Sequence, residues 1–85
     1  MWSHEIPEDA RRLRMPDGRW WRVVRRHEMA RIRTRRDAGE RRLYLFFFGD
    51  GGALRRAEVH ADFPDPALAD VGELTAVWSA AEVLG

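Results

Sequence analysis

The sequence predicts an α+β fold: a three-stranded antiparallel β-meander carrying an amphipathic C-terminal helix on one face, in the order β-β-β-α. Three observations predict it. Residues 43–48 read Leu-Tyr-Leu-Phe-Phe-Phe, six consecutive strand formers in a run too short for an independent helix. Gly49-Asp50-Gly51-Gly52 follows at once as a hairpin turn, and residues 53–62 then return as an alternating segment. Pro64 and Pro66 end the sheet, because proline cannot donate to a ladder, and the remaining residues are apolar at helical spacing.

Taken in order, residues 1–18 form an N-terminal arm or a single helical turn. Pro7, Glu8 and Asp9 ahead of Arg11, Arg12 and Arg14 place charges in the order that suits a helix dipole. Pro16-Asp17-Gly18 is a turn signal at the start of the folded part. Residues 19–32 satisfy both a two-residue and a 3.6-residue period. A strand over 20–27 is favoured, with Trp21 and Val23 on one face and Arg22 and Arg26 on the other. Residues 33–40 read as a polar loop, 43–48 as the central strand and 53–62 as the third, whose smaller set (Ala53, Arg55, Ala57, Val59, Ala61) faces the core. Asp65-Pro66 caps a helical turn, and a helix within 65–85 carries the stripe Val71, Leu74, Trp78, Ala81 and Leu84, broadened by Val77 and Ala80, with Asp70 and Glu73 spaced as a capping box. Gly72 favours a helix start near Val71. The meander spans 19–63, and the whole chain reads as one small domain.

Composition excludes several classes of function. The 85 residues contain no Cys, Lys, Asn or Gln, so disulfides, thiolate chemistry, Schiff bases and lysine-dependent phosphate loops are absent. No segment approaches the roughly 20 apolar residues that cross a bilayer, and no basic start precedes an apolar stretch, so a cytoplasmic protein is expected. All 15 basic residues are arginine, which reflects either selection for forked donors or the coding bias of a GC-rich genome, the simpler of the two. Charge is uneven: residues 11–42 hold 13 arginines against four acids, net +9, while residues 43–85 carry net −5.

Catalytic machinery is not expected. Ser3, Ser79, Thr34 and Thr75 lie in unrelated segments, the three histidines are far apart, and no nucleophile elbow is present. Glu58-x-His60-x-Asp62 would align an imidazole and two carboxylates on one strand face, the ligand types of zinc or iron. Same-face residues nevertheless stand nearly 7 Å apart, and carboxylates opposing arginines on a neighbouring strand is the simpler reading. No metal, cofactor or small-molecule substrate is therefore expected, and the chain reads as a non-enzymatic binding module.

Two binding readings remain. One helix covers one face of a sheet, which leaves Tyr44, Phe46 and Phe48 on the other; with Trp20 and an arginine rim they have the composition of a protein interface, self-association to a homodimer included. The alternative is a nucleic acid whose phosphates meet Arg22, Arg25, Arg26, Arg33, Arg35 and Arg36, with tryptophans as stacking platforms. The protein reading weakens if the N-terminal segment folds over the aromatic row. The series Trp21-Arg22-Val23, residues 43–46, Arg55-Arg56, and Phe63-Pro64 ahead of Glu73-Leu74 resembles short proteins of GC-rich bacteria that carry no assigned function. That resemblance implies a three-stranded sheet plus a helix, and no chemistry.

Overall fold

The computed structural model describes residues 10–29 and 41–85, without the side chains of Met29 and Arg41. They form five strands, β1 (Arg11–Arg14), β2 (Trp20–Met29), β3 (Arg41–Gly49), β4 (Leu54–Val59) and β5 (Glu82–Val83), and one helix, α1 (Val71–Ala80). The sheet order is β1-β2-β3-β4-β5 with every neighbouring pair antiparallel. The α+β class, the meander and the C-terminal helix follow the sequence expectation; the strand count is five and not three.

The first added strand lies where an arm or helical turn is expected. β1 pairs with the start of β2, and Pro16-Asp17-Gly18 is the turn of that hairpin: the Gly18 N–H donates to the Met15 carbonyl at 2.9 Å and the Met15 N–H to the Arg19 carbonyl at 3.0 Å. Leu13 and Met15 alternate with arginines and are buried in the core, which a strand achieves and a helical turn would not. Three arginines on so short a strand also discourage pairing by other chains.

β2 runs through Met29, two residues beyond the expected strand, and the predicted polar loop 33–40 lies outside the described residues. The β2–β3 register places Val23 opposite Phe47 and Trp21 opposite Gly49. Glycine suits that close approach, since a Cβ at Gly49 would sit 3.1 Å from the Trp21 ring and the indole would have to give way. After β3, Gly51 and Gly52 take positive φ (71° and 82°) to turn the chain into β4. β4 ends at Val59, and residues 60–63 form a turn closed by the Phe63 N–H on the His60 carbonyl at 2.9 Å.

The expected 65–85 helix is divided into a turn, a helix and a strand. The Asp65 carboxylate accepts from the Ala67 N–H at 2.9 Å while its carbonyl accepts from Leu68 and Ala69, making a separate turn. Asp70 then caps α1, accepting from Gly72 N–H at 2.9 Å and Glu73 N–H at 3.3 Å. The helix stops at Ala80 because the edge of β4 offers ladder partners: the Leu84 N–H donates to the Leu54 carbonyl at 2.8 Å, and residues 82–83 become the fifth strand. Leu74 and Trp78 of the expected stripe are buried, Val77 and Ala81 pack partly, and Val71 and Leu84 remain exposed.

The core lies between the sheet and α1, with Leu13, Met15, Trp21, Val23, Leu45, Phe47, Ala69, Leu74 and Trp78 in one cluster. Phe47, Leu45 and Leu74 are completely enclosed. Truncating such residues removes transfer energy and leaves a cavity, so Phe47→Ala or Leu74→Ala should each lower stability in a urea titration by about 2–5 kcal/mol. Leu68→Ala, at an 83% exposed position, should stay within about 0.5 kcal/mol.

Candidate functional site: the helix-free face of the sheet

Strand alternation gives the face opposite α1 a defined layout. Three rows cross β2, β3 and β4 on that side: Arg22-Phe48-Leu54, Val24-Phe46-Arg56 and Arg26-Tyr44-Glu58. Beyond Arg22, β1 adds Arg12, with Arg14 opposite Trp20. Tyr44 and Phe46 meet edge to face at 6.2 Å, and Phe46 and Phe48 lie tilted at 6.4 Å, so the three aromatics form a continuous ladder along β3. The ladder is half-buried, whereas Trp20 is 51% exposed. Guanidinium groups stack on this aromatic surface, Arg12 over Trp20 at 5.4 Å and Arg56 over Tyr44 at 5.2 Å.

The arginines divide by face. On the helix side they bind main-chain carbonyls: Arg11 donates to Pro66 at 2.8 Å and to Ala69, Arg25 to Phe63 at 2.6 Å, and Arg55 to Trp78 at 3.0 Å. Arg55 also lies 4.0 Å over the Trp78 ring and 5.6 Å over Trp21, while the two indoles meet edge to face at 5.6 Å. The Trp21 N–H is in turn held by the Asp17 carboxylate at 3.1 Å. On the opposite face, Arg42 pairs with Glu58 at 3.6 Å and Arg56 with Glu82 at 3.5 Å. Among the described residues, no carboxylate lies within ion-pairing distance of Arg12, Arg14, Arg22 or Arg26.

This geometry sorts the sequence-predicted residues. Trp20, Tyr44, Phe46 and Phe48 share the helix-free face with Arg22 and Arg26, so parts of the two rival candidate sets form one surface. Arg25 does not join that surface: odd-numbered β2 residues face the helix, and its guanidinium holds the Phe63 carbonyl. Arg33, Arg35 and Arg36 lie outside the described residues, as do residues 1–9 of the N-terminal segment whose folding over the aromatic row would weaken the protein reading; its residues 11–14 form β1 beside β2. Sequence reasoning missed Arg12, Arg14 and Arg56; reading Pro16-Asp17-Gly18 as a hairpin turn would have brought the first two beside Trp20.

At one corner of the face, Arg12, Trp20, Trp21, Arg22, Phe48, Gly49 and Asp50 line an open cleft of about 380 Å³. The Glu58-x-His60-x-Asp62 motif does not assemble, because β4 ends before His60, and no cluster of three metal-ligating side chains occurs among the described residues. No helix among them is long and apolar enough to cross a membrane.

The division of arginines predicts unequal effects on stability. Arg55→Ala removes a charge-assisted hydrogen bond and a double ring contact, and should lower the stability measured by thermal or urea denaturation by about 1–3 kcal/mol. Arg22→Ala should stay within about 0.5 kcal/mol. No protein family, curated protein or solved structure matches the chain.

Proposed function

We propose that this chain is a non-catalytic binding module that holds single-stranded nucleic acid on the helix-free face of its sheet. The supporting observation is the interleaving of Trp20, Tyr44 and Phe46 with Arg12, Arg14, Arg22 and Arg26, four guanidinium groups without a carboxylate partner among the described residues. Aromatic rings offer stacking to any base, and guanidinium groups release counterions when they meet phosphates. A duplex fits less well. Five strands span roughly 19 Å, whereas a major groove about 12 Å wide admits a helix or a two-stranded ribbon.

A protein partner is the second reading, favoured by the ladder Tyr44-Phe46-Phe48 beside Leu54, since aromatics and arginines concentrate at interface hot spots. The ladder is half-buried, so the apolar area it can contribute is modest. A second copy docked on the same face would bring like-charged arginines together, which disfavours a homodimer built this way.

Fluorescence anisotropy of a labelled oligothymidylate against the protein tests the proposal. With about four phosphates neutralised, log affinity should fall against log salt with a slope of about −3, and Arg22→Ala should reduce that slope by about 0.7. Trp20→Ala or Tyr44→Ala should weaken binding by about 1–3 kcal/mol while leaving the slope unchanged. Absence of binding at low salt, together with a concentration-dependent dimer in sedimentation that Phe46→Arg dissolves, would favour the protein reading instead.

A further inference from the structure

The corner cleft holds a feature that sequence-independent binding does not use. Asp50 is the one carboxylate among its lining residues, and it carries no ion pair among the described residues although Arg12 and Arg22 line the same cleft. Asp50 is exposed and follows directly on β3, at the head of a tight turn whose Gly51 and Gly52 take positive φ. The lining also includes Trp20, the most exposed aromatic among the described residues. An aromatic platform, two cations and one free carboxylate are thus gathered around a volume of about 380 Å³, at the lower end of the range for small-ligand sites.

Resting on the nucleic-acid reading above, we infer that this cleft takes a guanine base of the bound strand, stacked on Trp20 and read by Asp50, with its flanking phosphates on Arg12 and Arg22. The assignment follows from hydrogen-bonding capacity. An ionised carboxylate is acceptor-only and presents two oxygens side by side, so its best partner is a pair of adjacent donors. Guanine has that pair, N1–H and N2–H, on its Watson–Crick edge. Adenine and cytosine each set an acceptor beside their amino group, and thymine or uracil flanks its single N–H with two carbonyls. Those bases would leave one carboxylate oxygen facing a lone pair. A single-stranded ligand is required because only an unpaired base exposes this edge.

The test compares labelled oligothymidylates bearing one central dG, dA or dC, by anisotropy at fixed salt, for the wild-type chain and for Asp50→Asn. The dG oligonucleotide should bind about tenfold tighter than the others. Asp50→Asn should abolish that preference while retaining the affinity for plain oligothymidylate, which also reports that the variant is folded. Competition against the wild-type chain provides a measurement free of any substitution: guanosine monophosphate should displace the labelled strand at lower concentration than the adenosine, cytidine or uridine monophosphates. Equal affinity for all oligonucleotides, or a dG preference that survives Asp50→Asn, overturns the guanine assignment and leaves sequence-independent binding standing. Failure of every oligonucleotide to bind overturns both.

Discussion

A ten-residue helix is about 15 Å long, and the five-stranded sheet beneath it is roughly 19 Å wide, so α1 can cover one face of the sheet and no more. The rest of the described structure is organised around that asymmetry. The covered face is locked by one assembly: the Trp21 and Trp78 indoles in edge contact, with the Arg55 guanidinium stacked on both and donating to the Trp78 carbonyl near the end of the helix. The Trp78 carbonyl already accepts from the Ala81 N–H at 3.2 Å, and the guanidinium adds a second, charged donor there that matches the helix dipole. Arg55 fixes where the helix sits, and the helix in turn fixes which face is left over.

The same asymmetry gives one residue type two physical roles. On the helix side, Arg11, Arg25 and Arg55 each reach a carbonyl of the chain that crosses over from β4 to the end of α1, stitching that layer to the sheet. On the other side, the guanidinium groups of β1 and β2 stand over aromatic surface or in solvent. The acidic part of the sequence folds mainly into the helix layer, where Asp62, Asp65, Asp70 and Glu73 are all exposed. The helix-free face keeps Glu28, Asp50, Glu58 and Glu82 among its arginines, so the charge division along the chain becomes a partial one through space. Under the nucleic-acid proposal, the unpaired arginines of that face would attract an anionic strand although the net charge of the molecule is only +1.

Much of this was legible in the residues. The Leu-Tyr-Leu-Phe-Phe-Phe run, the glycine turn after it and the small-residue alternation of Arg55, Ala57 and Val59 specified a hairpin and its core face, because period-two patterns leave little freedom of register. The Asp70 cap was likewise a local signal. What escaped were the two outer strands, for related reasons. In β1 the alternation is carried by Leu13 and Met15 among arginines, and the charge order imitates a helical turn. In β5 the Ala-Ala-Glu-Val-Leu ending favours a helix, and its pairing depends on the free edge of β4, which no local pattern discloses. The helix-free aromatic ladder was predictable from strand alternation, whereas grouping Arg25 with Arg22 and Arg26 treats a basic cluster as a unit without following its alternation along β2.

Amide and indole chemical shifts of the isotopically labelled protein, followed as unlabelled oligothymidylate is added, test most directly whether the helix-free face is the working surface. Shifts should concentrate at Trp20, Arg22, Tyr44 and Phe46, with the Trp20 indole N–H moving while that of Trp78, buried on the helix side, stays in place. Changes centred on α1, or none at all at saturating oligonucleotide, would contradict it.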